Sequence, residues 1–227
     1  KPTGESRTYP NMMTREGVRG TEYEAWSSGN PPEHTTILPF TRMLAGPIDY
    51  TPGIFDLTFN QYKPENRVHT TLAKQLAVYV VIFSPVQMAA DLIENYENQP
   101  AFAFIEDVPV TWQETRVLNA KIGDYVTIVR RNGNNWFMGS ITDENARKLE
   151  IPLDFLESGM KYVAHCYADG ADANWEGNPA AISIHRYIVD AGTVLKAQLA
   201  RGGGQAVRFS PASERELSEI PAYQSGE

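Results

Sequence analysis

YVTIVRRNGNNWFMGSIT, residues 125–142, decides the fold class of the second half of the chain. Val126, Ile128 and Val129 before the turn, and Trp136, Phe137 and Ile141 after it, are β-branched or aromatic, the side chains that suit a pleated surface. Between them Arg131-Asn132-Gly133-Asn134 signals a hairpin, because Asn and Gly accept the positive φ of a tight primed turn. Working outward, Glu114–Asn119, Lys148–Leu153, Lys161–Ala168, Ala181–Ile188 and Gly192–Leu199 are further short segments of the same composition, each bounded by turn residues. The set predicts an antiparallel β-sandwich. Arg201-Gly-Gly-Gly-Gln205 reads as another hairpin turn; a phosphate cradle would need a following Lys-Ser/Thr and a helix start. After Pro211 the tail is polar and reads as an added or partly unstructured segment.

Upstream the period changes. In HTTLAKQLAVYVVIF, residues 69–83, apolar side chains recur at Leu72, Leu76, Tyr79, Val80 and Phe83, the spacing of one helix face. Ser84-Pro85 stops that helix, and VQMAADLIENY, residues 86–96, repeats the pattern and predicts a second one. His34–Leu44 reads as a helix or strand broken by Pro39, followed by the turn-rich GPIDYTPG, residues 46–53. The change of period places a boundary near residues 100–110, dividing the chain into residues 1–104, with mixed α/β character, and residues 105–227, all β with a polar tail.

The 227 residues are 42% hydrophobic, enough for a sizeable core, and carry a net charge of −8, which offers no basic footprint for nucleic acid. The longest apolar stretch, Leu76–Phe83, is far short of a membrane-spanning helix. Cys166 lies in the alternating run Tyr162, Ala164, Cys166, Ala168 and is given a packing role. The chain opens on Lys-Pro-Thr-Gly without Met, and is expected to be a cut piece of a longer protein.

Chemistry-bearing residues concentrate in the first fifty positions. TREGVRGTEYEAW, residues 14–26, packs Glu16, Glu22 and Glu24 among Arg15, Arg19, glycines and aromatics. Hard oxygen donors of this kind suit Ca²⁺, and paired carboxylates suit glycoside cleavage, in which one acid protonates the leaving oxygen; solvated surface glutamates are the plainer alternative. His34 and His69 each precede a Thr pair without a second ligand at metal spacing, so a hydrogen-bonded structural role is favoured. Asp49 and Tyr50, on a loop shaped by Gly and Pro, offer an acid and an aromatic ring to a sugar, or else form an Asx-type turn. Trp112, Trp136 and Trp175 are either a carbohydrate platform on the sandwich or core contacts.

RTYPNMMTREGVRGTEYEAW (residues 7–26), NPPEHTTILPFTRMLAGPIDYTPGIFD (residues 30–56) and YVTIVRRNGNNWFMGSITDE (residues 125–144), in that order, resemble the C-terminal part of glycoside hydrolase family 97. The family comprises calcium-dependent α-glucosidases and α-galactosidases of periplasmic glycan-using systems. The resemblance implies the C-terminal part of a (β/α)8 TIM barrel followed by the closing β-sandwich. It implies an exo-acting α-glycosidase, α-glucosidase first and α-galactosidase as the alternative, in a periplasmic or secreted setting. By the match of motifs, Glu22 in GTEYE is the expected general acid and also touches the metal, and Glu16 in TREG is an expected calcium ligand. His34, Asp49 and Tyr50 are expected against the oligosaccharide substrate. The family's base, or its nucleophile in retaining members, falls upstream of Lys1, so the chain is expected to need the N-terminal part of the same protein. An alternative of another class is a carbohydrate-binding or purely structural sandwich without activity of its own.

Overall fold

The computed structural model describes residues 5–59 and 63–224. Eight strands, β1 (Glu114–Lys121), β2 (Tyr125–Asn132), β3 (Asn135–Thr142), β4 (Arg147–Pro152), β5 (Tyr162–Asp169), β6 (Ile182–Val189), β7 (Val194–Leu199) and β8 (Gly204–Pro211), make up the second half. A six-stranded sheet runs β1-β2-β3-β8-β5-β6 and a two-stranded sheet pairs β4 with β7, with antiparallel pairing throughout. The expected sandwich is therefore present. The quoted hairpin closes as read, Asn132 opposite Asn135 with Gly133 at φ 59°. The eighth strand extends the predicted set: the Gly-rich turn at residues 201–203 leads into β8, which sits centrally between β3 and β5.

Alternation along the large sheet builds two cores. Val129, Trp136, Met138, Cys166, Val207 and Phe209 face the β4–β7 sheet, packing on Ile151, Leu153, Phe155, Leu195 and Leu199. Val126, Ile128, Phe137, Ile141, Tyr167 and Ala206 face the opposite way, onto the helix Leu72–Val81. That helix begins where the Thr71 hydroxyl accepts the Lys74 N–H, and ends at Ile82, where the backbone turns extended. Every one of its residues is buried. Its β-branched second half has poor helix propensity, so burial on all sides holds it. Glycine lets it seat closely: a Cβ at Gly139 on β3 would run into the carbonyl oxygen of Ala77, and one at Gly204 on β8 would lie 2.8 Å from the Cα of Lys74. The layers are thus helix, large sheet, small sheet.

Two expectations are corrected. Residues 86–92 do not continue as a helix; only Ile93–Tyr96 forms a turn of one. Long-range partners take the backbone groups that a helix would have used. The Tyr79 hydroxyl donates to the Met88 carbonyl (2.6 Å), Ala90 N–H reaches Pro52 O (3.1 Å), and Asp91 N–H reaches the Tyr96 hydroxyl (2.9 Å). The Asp91 carboxylate meanwhile holds the N–H groups of Phe55 and Asp56. Secondly, residues 1–104 do not show regular barrel strands among the described residues. They contribute an isolated parallel bridge, Arg15 with Ile48, and a contact from Ile48 N–H to Phe83 O at 3.1 Å. Pairing stops at these single contacts, and the residues on either side turn into loops with Gly17, Gly46 and Gly53 at positive φ. As far as residue 224 the polar tail has structure: Ser213 closes a capping box on the helix Glu214–Glu219, and Tyr223 packs edge-on against Tyr187 at 5.4 Å. Among the described residues no helix is long and apolar enough to cross a membrane.

Candidate functional site

The segments at Arg15, Ile48 and Phe83 lie side by side, and the loops that leave the first two carry the expected site. Arg42 clamps them, donating from Nε and Nη2 to Glu16 O (3.0 and 2.7 Å), from Nη2 to Arg15 O (2.5 Å) and Pro47 O (3.1 Å), and from Nη1 to Gly46 O (3.1 Å). One guanidinium thus satisfies carbonyls from both loops and leaves the Glu16 side chain exposed at the rim.

Glu22 opens the short helix Glu22–Trp26 and is exposed. Thr51 Oγ1 donates to its Oε2 at 2.6 Å, Gly20 N–H donates to its Oε1 at 3.2 Å, and Glu22 N–H returns a bond to Thr51 Oγ1 at 3.2 Å. Both oxygens are therefore held by neighbours in fixed positions while the group remains open to solvent. Gly20 is itself fixed, its carbonyl accepting from Asn30 Nδ2 at 3.0 Å. A group aimed outward with a fixed orientation is the arrangement proton transfer to a bound substrate requires.

Glu24 and His34 take partners away from the Glu22 seat. Glu24, grouped above with Glu16 and Glu22, is buried and lies 3.1 Å from His69 Nδ1, which also contacts Asn30 O at 3.0 Å. The Glu24 carboxylate raises the imidazole pKa against the opposing effect of burial. His69 therefore has a structural partner, in keeping with its reading. His34 places Nε2 2.8 Å from Arg19 O, and burial lowers its pKa.

Tyr50 is only 5% exposed, and burial drives its hydroxyl pKa well above the ordinary range. Its ring has no free face for stacking on a sugar among the described residues. Asp49 is half-buried, its N–H bonded to Arg15 O (3.1 Å) and its Oδ1 buried without a hydrogen-bond partner. The structure thus brings Glu16, Asp49 and Tyr50 onto adjoining loops and seats Glu22 on Thr51, while His34 is turned to the Arg19 carbonyl. The three tryptophans form no platform: Trp136 packs in the inter-sheet core on Phe155, Trp112 on Phe137, and Trp175 edge-on to His69.

Thr51 and Asn30 were missed by sequence reasoning. Thr51 directly follows the Asp49-Tyr50 pair, and no local signal ties it to Glu22, 29 positions earlier. No group of three or more His, Cys, Asp or Glu converges as a metal site among the described residues. Glu16 and Glu22 are both exposed hard-oxygen donors, the donor chemistry that part of a Ca²⁺ shell of six to eight oxygens would use.

Comparison with known proteins bears on this geometry. The family profile described as "Glycosyl-hydrolase 97 C-terminal, oligomerisation" matches residues 111–210. A glycoside hydrolase family 97 enzyme from Pseudoalteromonas sp. strain K8 is 51% identical to this chain over 94% of its length. Its complexes with panose and with acarbose give TM-scores of 0.88 and 0.89, over 34% of that chain. A retaining alpha-galactosidase of Bacteroides thetaiotaomicron is 37% identical over 216 residues, 92% of this chain and 32% of that protein. The chain spans about a third of the length of these relatives.

Proposed function

Because the chain belongs to glycoside hydrolase family 97, we propose that it forms the acid-bearing C-terminal part of an exo-acting α-glucosidase that releases terminal α-linked glucose from oligosaccharides. The observation that carries this reading is the seat of Glu22, an exposed carboxyl group with one oxygen on the Thr51 hydroxyl and the other on the Gly20 N–H. In the proposed reaction Glu22 gives its proton to the departing glycosidic oxygen, and Thr51 and Gly20 hold it on the line of approach. Residues 105–227 are read as the closing sandwich of that enzyme, and the loops of residues 1–104 as the part that carries the acid. The N-terminal part of the same protein would supply the base or nucleophile, and the setting is periplasmic or secreted.

Glu16 and Glu22 would hold Ca²⁺ together with oxygens from outside this chain. When bound, the cation supplies a fixed positive charge toward which sugar oxygens are oriented. Glucose is favoured because the 51% identical relative was captured with panose, an α-linked trisaccharide of glucose. The second reading, α-galactosidase, is supported by the relative named retaining alpha-galactosidase at 37% identity.

Glu22→Gln in the full-length enzyme tests the assignment. Turnover of an unactivated α-glucoside should fall by about 10²- to 10⁴-fold, the usual share of a general acid, with an activated aryl α-glucoside largely spared. Equal loss on both removes Glu22 from the acid role. A kcat/KM for aryl α-galactoside above that for aryl α-glucoside replaces the first reading with the second.

A further inference from the structure

On the sandwich the small sheet does not cover the large one completely, and the uncovered strip is a groove of about 830 Å³, within the usual range for small-ligand sites. Its floor is the face of β5, β6 and β8 that carries Cys166, His185 and Gln205, and β7 forms its wall. Along β6, Ser183, His185 and Tyr187 alternate into it, about 13 Å from first to last at the ordinary strand rise. At the far end the C-terminal segment bridges β6 to β7. Tyr223 N–H donates to Ile188 O at 3.0 Å, the Tyr223 hydroxyl accepts the Lys196 N–H at 3.0 Å, and its ring meets that of Tyr187.

Gln205 is the informative residue. It is 4% exposed, and its Oε1 is buried with no hydrogen-bond partner among the described residues. An amide kept in an apolar floor with an orphaned acceptor is costly unless something donates to it. The group that completes it must therefore carry a donor, which excludes ligands made only of acceptors, such as sulfate. The two arginines on the rim point the same way, because each already has its counter-charge, Arg147 on Asp143 and Arg201 on Glu176. What the groove presents is amides at Gln198 and Gln205, an imidazole at His185 and two half-buried tyrosine rings, with Lys148 and Lys196 also in its lining and the Asp169 carboxylate taken by Thr71 and the N–H groups of Ala200 and Gly204. Paired donors and acceptors beside aromatic faces match a neutral polyhydroxylated chain.

We propose that this groove binds a short neutral oligosaccharide, with Gln205 Oε1 accepting from a sugar hydroxyl and Gln198, His185 and Tyr187 lining its length. The choice of α-linked glucan as the first probe rests on the function proposed above, whereas the site itself rests on the groove. The test is nuclear magnetic resonance titration of the 227-residue chain with maltotriose and, separately, with raffinose, an α-galactoside.

Saturable shifts confined to the groove are expected for at least one sugar. Gln198→Ala and His185→Ala, both at exposed positions, should weaken binding at least tenfold with unchanged thermal unfolding. Gln205→Leu should abolish binding and leave Tm equal or higher, since no orphan remains. No saturable shift with either sugar up to about 50 mM, beyond the weakest useful affinity, overturns the proposal. So does binding that the Gln198 and His185 variants leave intact, or concentration-dependent self-association mapped to the same residues. Saturable binding of raffinose alone keeps the groove and counts against the glucoside reading, which hydrolysis by the full-length enzyme decides separately.

Discussion

Gly20 is the residue whose missing side chain the Glu22 seat depends on. A Cβ there would collide with Glu22 Oε2 and lie 2.9 Å from Thr51 Oγ1. The small residue makes room for the carboxylate, whereas a positive φ is not what requires it. Gly20→Ala should therefore fold normally, within about 1 kcal/mol of the parent, yet expel the Glu22 carboxylate from its two donors. In the full-length enzyme the expected result is a loss approaching that of Glu22→Gln on unactivated glycosides. Unchanged kinetics would show that the seat seen here does not matter for turnover. At Glu16, where Arg42 fixes the carbonyl and leaves the carboxylate free at the rim, Glu16→Gln should weaken direct calcium binding by calorimetry. Activity lost after chelation should then return only at higher calcium, by mass action. An unaltered calcium affinity would remove Glu16 from the ligand set.

The element that organises the molecule is the helix Leu72–Val81, and its least expected residue is Lys74, fully buried with Nζ bonded to Pro32 O and Thr142 O at 2.7 Å each. One ammonium joins the site-bearing loops to the end of β3. Desolvation lowers its pKa from 10.5 to about 7. Between those values the unfolded chain binds more protons than the folded one, so the Lys74 contribution to stability grows as pH rises from about 7 toward 10.5. Lys74→Met removes the titration and leaves two carbonyls unpaired, at about 1–3 kcal/mol each. The gap in unfolding free energy between parent and variant should widen from pH 6 to pH 9. A gap that narrows or stays flat over that range would show that Lys74 is not carried neutral in the folded state. Periodicity in sequence exposed this helix because its apolar spacing is its own, and the strands for the same reason. It failed at residues 86–92, where Tyr79, Pro52 and Tyr96 take the backbone groups, and it could not show Lys74 as buried, since a lysine on a helix reads as solvated. Glu22 was singled out by its motif; its partner Thr51 was not, because the contact exists only once two distant loops meet.

At the scale of the whole chain, the two cores give the proposed boundary near residue 104 a physical test. The inter-sheet core draws its buried members from Val129 to Phe209, all beyond the boundary, so residues 105–227 keep it entire when separated. The second core does not divide so cleanly: Val126, Ile128, Phe137, Ile141 and Tyr167 lose the helix that covers them, each forfeiting roughly 1.5–3 kcal/mol of burial if left exposed. Residues 1–104 alone would hold a fully buried helix with no sheet to lie on, and no regular strands of their own among the described residues. Expressed separately, residues 105–227 should unfold cooperatively but at a lower Tm than the intact chain, and should bind a hydrophobic dye on the bared face. Residues 1–104 should show no cooperative transition. Supplying a soluble fusion of residues 63–104 in trans should raise the Tm of the sandwich and suppress dye binding, because it returns the helix to Gly139 and Gly204, where only glycine lets it sit. Cooperative unfolding of the first piece, or none in the second, would move the boundary and show that helix and sheet fold as one unit.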